Sequence, residues 1–568
     1  MQSLAIIPFK HDKDLVFLAT GLQSYLNREF GKDEAFKTIS PSSTAQFGFD
    51  NEKELIGKRL NCDLLIFAEL QQRPEHVEIG LQLFDVKKSM TRWKTLVRVS
   101  PDQVIELGPM CFEKIKQQLS GSPVNFNKTA QRPILNAAYE KFLQGKHFFN
   151  RWSEQDALEA QVLFEQVIDL EPEFTPAYNW LAKVLIFQAG RGYRLPEEVY
   201  PQAEELIDQS LLIKPQSGEA LIYKGLIEFF FHLNWEACYT HIEQGLRYYI
   251  DASEAYQQLS LFWYGIKAYH EALSALQTAL EYDPLSAGIL NMMGDVLMSQ
   301  GNLDQAERVF KSILRLNPND STSLENLGFL YTLRGEQDKA MIYLKRFRKR
   351  LPHSESVSPR LAYAYGKFGL GPEIGETVKA YERLSQQHPN KLYHNALSNL
   401  HAGMEDWNTV RELITTSWHK RAGILYIVTD PVLEPIRSKA WYKSLLGQIK
   451  YPGQVGGKNY IGLNTELKEA VHLDTNALIY LKADNQYVEA YVYRNFRVEK
   501  QLIRQRLEKL LAQLPSHFLQ VHRSYVINAN VHFEHSGNAR GMVLTSKKHG
   551  ISIPVSRTQI PTVKAKLN

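Results

Sequence analysis

Polar residues interrupt strand-like sequence at three places near the C-terminal end of the chain. They are Asn485, Gln486 and Tyr487, then His522, Arg523 and Ser524, then Ser556 and Arg557. Arginine presents a planar pair of N–H donors that fits guanine O6 and N7, or a phosphate. Asparagine and glutamine side chains can pair with the edge of an adenine. Residues of these types are therefore equipped to bind nucleic acid by hydrogen bonds, without covalent chemistry.

Charge is distributed unevenly along the chain. From Lys458 to the last residue there are 16 Lys and Arg against 8 Asp and Glu, whereas the remainder has 50 against 54. A basic segment on a mildly acidic body is the asymmetry expected when one module binds a polyanion. Charge alone favours this interpretation no more than a solvated basic surface without a ligand.

The glycine- and lysine-containing segment at residues 456–458 does not have the pattern of a phosphate-binding loop. Gly456, Gly457 and Lys458 lie in a glycine-rich stretch, but the preceding glycine is Gly453 and Asn459 follows the lysine. Such a loop needs four residues between its glycines and then Ser or Thr after the lysine. With no GxSxG and no paired metal-binding aspartates either, the sequence predicts neither an enzyme nor a cofactor.

Metal and disulfide chemistry are also poorly supported by the sequence. His532 and His535 have no third ligand at a suitable spacing, so no metal site is predicted. Cys62, Cys111 and Cys238 are far apart and form no CxxC pair. Three isolated cysteines are typical of a reduced compartment, and a cytoplasmic location is expected.

Strands and one helix must position the polar groups. Apolar or alternating runs predict strands at residues 478–482, 487–493, 518–528 and 551–555, with a polar turn at residues 483–486. Residues 497–504 are expected to lead into a helix that Pro515 ends. The apolar stripe of this helix consists of Ile503, Leu507, Leu510, Leu511 and Leu514.

Residues 479–492 (IYLKADNQYVEAYV), 514–528 (LPSHFLQVHRSYVIN) and 551–557 (ISIPVSR) resemble, in order and spacing, the motifs of the LytTR family. The resemblance covers about 100 residues and implies DNA binding through loops of an elongated β-fold, without a recognition helix. By position, the family's contact sites fall on the turn Asn485, Gln486 and Tyr487, on Arg523 and on Arg557. The candidates for further phosphate contacts are His522, Ser524, Lys547, Lys548 and His549.

Each candidate residue also has a purely structural alternative. His522 and Asn528 lie within an apolar block and could hold the loop by hydrogen bonds, Tyr487 could be a core residue, and the two arginines could form surface ion pairs. Regulators of this family usually carry a phosphoacceptor receiver domain, and no such arrangement of acidic residues is recognisable here. Control by phosphorylation is therefore not expected.

Residues 1–122 are predicted to form an α/β domain in which strands alternate with helices. Its runs IIPF, FLATGLQSYL, ELIGKRLNCDLLIFAEL and VEIGLQLFDV resemble a TolB-N-like input domain that precedes helical repeats in bacterial regulators. These motifs are structural, and the resemblance assigns chemistry to none of them. Pro8 suggests that the first strand lies at an edge of the sheet or ends there.

Residues 134–449 have the pattern of an all-helical repeat. Pro284, Pro318 and Pro352 are spaced by 34 residues, the period of tetratricopeptide repeats. Small residues allow two antiparallel helices of a repeat to approach, and bulky residues fill the gap. These positions are Leu259, Ala272 and Leu276, then Gly294, Ala306 and Phe310, then Gly328, Tyr331, Ala340 and Leu344. Seven or eight degenerate repeats are expected, presenting a concave surface to an unknown protein partner.

The predicted organisation is multidomain, with the α/β domain, the tetratricopeptide superhelix, a linker at residues 450–464 and a mostly-β DNA-binding domain at 465–568. The leading hypothesis is a sequence-specific transcription regulator that binds double-stranded DNA, with a homodimer on repeated half-sites implied by the resemblance. The alternative is an interaction scaffold whose last domain binds DNA weakly or not at all. No run approaches the ~20 apolar residues of a membrane-spanning helix, so no membrane association is expected.

Overall fold

A computed structural model describes residues 2–33, 35–120, 136–149, 151, 153–248, 252–350, 358–387, 394–449, 451, 460–464, 470–475, 477–494, 497–538, 541–547 and 549–567. The chain divides into two compact units, residues 1–445 and 446–568. No helix in these ranges is long and apolar enough to cross a membrane. Each unit is built as follows.

The first unit begins with a mixed sheet. Its strands are β1 (Gln2–Ile6), β2 (Lys10–His11), β3 (Phe36–Ile39), β4 (Leu64–Gln72), β5 (Val77–Asp85) and β6 (Met90–Val99). The helices are α1 (Val16–Gly31), α2 (Pro41–Thr44), α3 (Lys53–Leu60) and α4 (Leu107–Ser120), with 3-10 turns at Lys13–Leu15 and Pro101–Glu106. The strand order is β3-β1-β4-β5-β6, and β2 also pairs with β4. The pairs β1–β3 and β1–β4 are parallel, whereas β4–β5–β6 is an antiparallel meander.

Strand β5 has an apolar face that packs on two helices. Its inward residues, Val77, Ile79, Leu81 and Leu83, are all buried in one core with α1 and α4. The first strand is central in the sheet and ends at Ile6, two residues before the proline, so only the second of the two expectations for this strand is correct.

Antiparallel helix pairs make up the rest of the first unit. The helices are α5 (Asn136–Phe149), α6 (Glu154–Leu170), α7 (Thr175–Gly190), α8 (Pro196–Ile213), α9 (Gly218–Ile227), α10 (Trp235–Leu246), α11 (Ala252–Gly265), α12 (Tyr269–Tyr282), α13 (Ala287–Ser299), α14 (Leu303–Leu316), α15 (Ser321–Leu333), α16 (Gln337–Arg348), α17 (Pro359–Lys367), α18 (Gly371–Gln387), α19 (His394–Gly403), α20 (Trp407–His419), α21 (Ile424–Thr429) and α22 (Ala440–Gln448). A π-helical turn, Glu228–His232, continues α9, and Pro431–Ile436 is a 3-10 helix.

Glycine positions allow paired helices to approach, as the repeat pattern predicts. A Cβ atom on Gly294 of α13 would lie 2.2 Å from the ring of Phe310 of α14. A Cβ on Gly328 of α15 would lie 2.4 Å from Leu344 of α16. Both large residues are fully buried. The bulky side chain therefore occupies the volume that the missing side chain leaves, which fixes the spacing of each pair.

The helix pair α17 and α19 is closer still. A Cβ on Gly403 would lie 2.4 Å from the backbone oxygen of Tyr363, and one on Gly366 would lie 2.3 Å from the backbone oxygen of Leu400. Backbone meets backbone here, so a neighbouring side chain cannot move aside to relieve an added methyl group. This crossing departs from the predicted pattern, in which each helix packs mainly on the next helix in sequence.

The α/β domain packs on the helical array at two separate places. Near the first pair, Gly21 of α1 lies against Leu143 of α5. Far along the array, the Ser43 hydroxyl donates to the Asp283 carboxylate that follows α12, and the backbone N–H of Ser40 donates to the Tyr282 oxygen at 2.7 Å. Burial raises the pKa of Asp283. The domain thus bridges α5 and α12.

The second unit is mostly strands. They are β7 (Tyr460–Asn464), β8 (Ala470–Asp474), β9 (Leu478–Asp484), β10 (Tyr487–Arg494), β11 (Arg497–Ile503), β12 (Phe518–His522), β13 (Tyr525–Asn528), β14 (Glu534–Asn538), β15 (Gly541–Ser546) and β16 (Ile551–Val555). Its helices are α23 (Leu507–Leu511) and α24 (Ile560–Leu567), and Arg557–Gln559 is a 3-10 turn. The sheets are β11-β10-β9-β13-β12, β14-β15-β16 and β7-β8.

Both faces of the five-stranded sheet are covered. One face packs on α23, through Leu507 and Leu510 among others. The other face packs on the three-stranded sheet and α24, through Leu544, Ile553 and Ile560 among others. The strands are therefore held from both sides, which fixes where their connecting turns lie.

A helix does follow residues 497–504, but it is shorter than expected and Ile503 lies outside it. Residues Arg497–Ile503 form the edge strand β11, paired along its length with β10, and the helix is confined to Leu507–Leu511. Val488 of β10 lies opposite Ile503, and both are buried in the same core. The apolar spacing that suggested one helix is divided between a strand and a short helix, because pairing with β10 satisfies the backbone of this segment.

The α17–α19 crossing yields a stability prediction. Gly403→Ala is expected to destabilise this crossing by about 3 kcal/mol, the upper end of overpacking effects, because the methyl group meets a backbone oxygen. Hydrogen exchange of the α17 and α19 amides measures the loss of protection.

The matched control is Gly375→Ala in α18, where nothing lies within 4 Å of the added atom. This change should be neutral, or stabilising by about 0.5–1 kcal/mol, because alanine favours a helix over glycine. Equal protection of α17 and α19 in the two variants would contradict the packing described.

Candidate nucleic-acid interface

Two backbone hydrogen bonds bring the three polar groups together at one end of the five-stranded sheet. The N–H of Ala483, at the end of β9, donates to the oxygen of Ser524 at 2.8 Å. The N–H of Ser556 donates to the oxygen of Val521 at 2.8 Å, directly before His522. The β9–β10 turn, the β12–β13 turn and the segment after β16 are therefore neighbours, although more than 70 residues of sequence separate the first from the last.

The β9–β10 turn presents two polar side chains outward. Asp484 and Tyr487 are paired across the hairpin, so the loop consists of Asn485 and Gln486 alone. Asn485 has a φ of 54°, in the left-handed region that asparagine tolerates better than most residues. Both loop residues are exposed, and Tyr487 is 41% exposed, so this tyrosine is a surface residue and not a core residue.

The β12–β13 turn holds Arg523 outward. His522 and Tyr525 are paired, and the Ser524 N–H donates to Nδ1 of His522 at 3.2 Å. This bond closes the turn through the histidine ring, which leaves the ring half-buried. Arg523 is exposed and forms no ion pair with any residue that the structure describes.

The segment after β16 places a second arginine nearby. The Ser556 hydroxyl and N–H both donate to the Val521 oxygen, the hydroxyl at 3.3 Å. Arg557 follows at the start of a 3-10 turn and is exposed. The serine therefore anchors the segment to β12, and the arginine after it is presented on the same side as the β12–β13 turn.

Asn528 has a structural role, as its alternative interpretation proposed. It is 2% exposed, and its Nδ2 donates to the oxygens of Leu478 at 2.8 Å and Thr475 at 3.2 Å. Its Oδ1 accepts the Asn530 N–H at 3.0 Å. All polar atoms of its side chain are thus used to join β13 to the start of β9.

The remaining basic candidates lie elsewhere in the domain. Lys547 follows β15 and lies at the start of β16, about 17 Å along the strand from the segment after it. Its amine pairs with Glu534 at 2.8 Å, while remaining largely exposed. His549 is bonded to Ser546 at 2.8 Å. Lys548 lies outside the described residues.

Glu489 organises a charged cluster directly behind the β9–β10 turn. This carboxylate is 5% exposed and accepts hydrogen bonds from Lys500 at 3.0 Å, Tyr491 at 2.8 Å and Lys482 at 3.2 Å. These donors, Lys500 foremost, lower the pKa of Glu489 to about 2. The ring of Tyr491 also stacks on Tyr480, with centroids 4.2 Å apart.

Sequence reasoning missed this cluster. Its members come from three strands, and only the register β9–β10–β11 shows that two lysines converge on one carboxylate. The signal available in the sequence was an acidic residue, Glu489, set between Val488 and Ala490 in an apolar strand. Lys482, Glu489 and Lys500 link the three strands at the base of the turn that carries Asn485, with the carboxylate buried and the two lysine side chains 38% and 50% exposed.

Metal binding finds no support in the described part of the chain, where no group of three or more His, Cys, Asp or Glu side chains could hold an ion. His532 and His535 are both exposed, and they flank the start of β14.

Comparison with known families bears directly on this unit. The model of the LytTr DNA-binding domain matches residues 468–568, which include all three polar groups. The last part of this chain is therefore similar to LytTr DNA-binding domains. A tetratricopeptide repeat model matches residues 267–327, that is, the end of α11 to the middle of α15. The chain therefore combines a DNA-binding domain with tetratricopeptide repeats, and it is multidomain as predicted.

Individual relatives cover only parts of the chain. An uncharacterized response regulatory protein of Vibrio cholerae is 39% identical over 70 residues, 12% of this chain and 27% of that protein. The chain spans about a quarter or less of the length of the curated relatives it matches.

Two solved structures resemble other parts of the chain. A tetratricopeptide repeat protein from Parabacteroides merdae is 16% identical, with a TM-score of 0.34, over 47% of this chain and 99% of that one. TolB from Acinetobacter baumannii is 22% identical, with a TM-score of 0.19, over 22% of this chain and 30% of that one. TM-scores of this size add nothing to the description of either region.

The Glu489 cluster yields a pH-dependent prediction. Because its pKa is lower in the folded than in the unfolded chain, the carboxylate stabilises the fold above about pH 4.5, and this contribution is lost as the pH falls toward 2. Glu489→Gln should therefore destabilise β9 and β10 by roughly 1–3 kcal/mol at pH 7. The difference from the unmodified chain should shrink toward zero near pH 2.

Hydrogen exchange of peptides from β9 and β10, compared between the two proteins at each pH, measures this effect. Glu508→Gln is the control, because it removes an exposed carboxylate from α23 in the same unit. If the loss of protection in Glu489→Gln stayed constant from pH 7 to pH 2.5, the charge of Glu489 would not be the cause of the stabilisation.

Proposed function

We propose that this protein is a sequence-specific transcription regulator that binds double-stranded DNA through the three loops at one end of its five-stranded sheet. The observation that carries the proposal is the convergence of the β9–β10 turn, the β12–β13 turn and the segment after β16. Two exposed arginines and an exposed asparagine–glutamine pair are presented together there. This set of donors matches the bidentate recognition of guanine and adenine edges in the major groove.

Within this proposal the residues have different roles. Arg523 and Arg557 contact bases, and Asn485 and Gln486 contact an adjacent base pair or sugar-phosphate. Tyr487, His522 and Ser524 shape the turns and contact phosphates. Lys547, one strand length away, and Lys548 contact phosphates farther along the duplex, which adds affinity without sequence information.

The first unit provides the input in this proposal. Tetratricopeptide repeats support a protein-binding role, and the α/β domain that bridges α5 and α12 can change the array when it binds a ligand or partner. We propose that the protein acts in the cytoplasm and binds repeated half-sites as a homodimer. It is not proposed to have catalytic activity.

A second candidate function is an interaction scaffold whose last domain does not occupy promoters. The array of helices α5–α20, much longer than the DNA-binding domain, favours it. Chromatin immunoprecipitation distinguishes the two candidates, because a scaffold would yield protein partners without defined chromosomal sites.

The DNA-binding proposal predicts specific losses of affinity. Against DNA fragments selected by the unmodified chain, Arg523→Ala and Arg557→Ala should each cost about 1–3 kcal/mol, because each loses a bidentate contact with a base. This corresponds to roughly 5- to 150-fold in Kd. Fluorescence anisotropy with the full chain, repeated at several salt concentrations, measures Kd and its salt dependence.

Lys509→Ala is the matched control. It removes one positive charge from α23, which covers the opposite face of the sheet from β16. Its Kd should change by less than about twofold. Equal Kd values for both arginine variants and the unmodified chain would refute the proposed interface.

A further inference from the structure

The first helices of successive pairs pack on one another, and the side of the array that they form is called the inner face below. Helices α13, α15 and α17 pack side by side, and buried polar groups join them. Asn291 of α13 accepts hydrogen bonds from Ser323 at 3.0 Å and Asn326 at 3.3 Å, both on α15. Arg360 of α17 donates to Asn326 and pairs with Asp295 of α13 at 2.9 Å. The inner face of this part of the array is thus polar and specific, and not only apolar.

One stretch of the chain lies on this inner face. It comprises α21 and the following 3-10 helix, residues 424–436, and is called the inner segment below. Leu425 lies against Gly265 of α11, and the hydroxyl of Tyr426 is 2.9 Å from that of Ser398 on α19. The segment therefore touches helices that are four pairs apart in the array.

Apolar residues anchor the inner segment. Ile424, Ile427, Val428, Val432, Leu433 and Ile436 are each 3% exposed or less. Positions 424, 427 and 428 have the spacing of one face of a helix. A segment of only thirteen residues thus buries six large apolar side chains, far more than a surface connection would.

The segment also carries a carboxylate, Asp430, whose Oδ1 accepts the Val432 N–H at 2.9 Å and so caps the 3-10 helix. Asp430 follows α21 and interacts electrostatically with Arg360 and with Asp295. Burial is the main cause that raises the pKa of Asp430 to about 6. Glu325 of α15 also faces Arg360, so three carboxylates share one guanidinium. Asp430 is therefore one of several acidic groups that compete for the cation of the inner face.

The inner segment is bounded by a reversal of the chain before it and by a hydrogen bond to α22 after it. Before it, Arg421 and Gly423 have φ values of 55° and 73°, a sharp reversal after α20. After it, the hydroxyl of Tyr442 on α22 donates to the backbone oxygen of Ile427. The division between the two compact units, at residues 445 and 446, falls within α22.

A simple terminal cap would cover only the last helices, α19 and α20. The inner segment instead reaches back to α11, and its carboxylate, Asp430, interacts electrostatically with Arg360 of α17 and Asp295 of α13. The inner segment therefore packs on the array as a bound peptide would. Its own residues indicate which kind of peptide the inner face can bind.

We propose that the inner segment is a built-in competitor that occupies the inner face of α11–α19, and that a partner with an apolar helical turn followed by a carboxylate binds there only after the segment leaves. This inference rests on the proposed role of the helical array as the partner-sensing part of the regulator. Partner binding and release of the segment are then the same event.

The test uses the full chain and a fluorescent peptide with the sequence of residues 422–437. Val428→Asp places a charge at a position that is 1% exposed and should release the segment. Ile342→Asp is the matched control, because it introduces the same charge on α16 at a position that is 58% exposed. The released variant should bind the peptide at least tenfold more tightly than the unmodified chain, and the control should not differ from it.

A second peptide, which carries Asp430→Asn, tests the role of the carboxylate without altering the protein. It should bind the released variant at least tenfold more weakly, because Arg360 loses a charged partner. Hydrogen exchange of the variant should show residues 424–436 unprotected while α13 and α15 remain protected.

Two results would overturn the inference. In one, Val428→Asp releases the segment with α13 and α15 intact, yet the peptide does not bind. In the other, α11–α19 lose protection together with the segment, which would make it an inseparable part of the core. Either result leaves the DNA-binding proposal standing, because that depends on the anisotropy of the Arg523 and Arg557 variants.

Discussion

The helical array depends on glycine residues, which lack the side chain that would hold the two helices of a pair apart. In four of the helix pairs a glycine of the first helix faces a large residue or the backbone of the second, and no Cβ would fit. These glycines are Gly145, Gly225, Gly294 and Gly328. Each contact sets the separation and angle of one pair, and in a repeat protein such local choices accumulate into the curvature of the whole array.

In the DNA-binding domain the equivalent constraint is strand register. A shift of one residue between β9 and β10 would turn Glu489 away from Lys482 and move Val488 out of the core. The same register sets the two-residue loop at Asn485. The backbone bonds at Ala483 and Ser556 tie the loops that we propose to bind DNA to a sheet that is packed on both faces.

Much of this architecture could be predicted from sequence because the signals are local. The alternation of Val77–Asp85 and the pairing of Gly294 with Phe310 both reflect contacts within one element or one hairpin. The short strands β2 and β3 were missed, since four residues or fewer give no periodic signal. Ile503 was placed in the helix because its spacing from Leu507 fits a helix as well as a strand followed by a turn.

The candidate interface was likewise predictable in its local features and not in its long-range contacts. The exposed residues could be named from motifs, but that two backbone bonds bring them to one end of the sheet depends on the order of the strands. The Glu489 cluster and the inner segment were not predicted, because each joins residues that are distant in sequence. Nothing in the local pattern of residues 424–436 distinguishes a segment packed inside the array from an ordinary last helix.

The bridge between Ser43 and Asp283 has a consequence for how the protein is made. The two residues are 240 positions apart. At a synthesis rate of 5–20 residues per second, the α/β domain leaves the ribosome roughly 10–50 s before its partner on the array exists. During that interval the Ser43 hydroxyl lacks the Asp283 partner that it has in the finished chain. Closure of the bridge is therefore a late step in biogenesis.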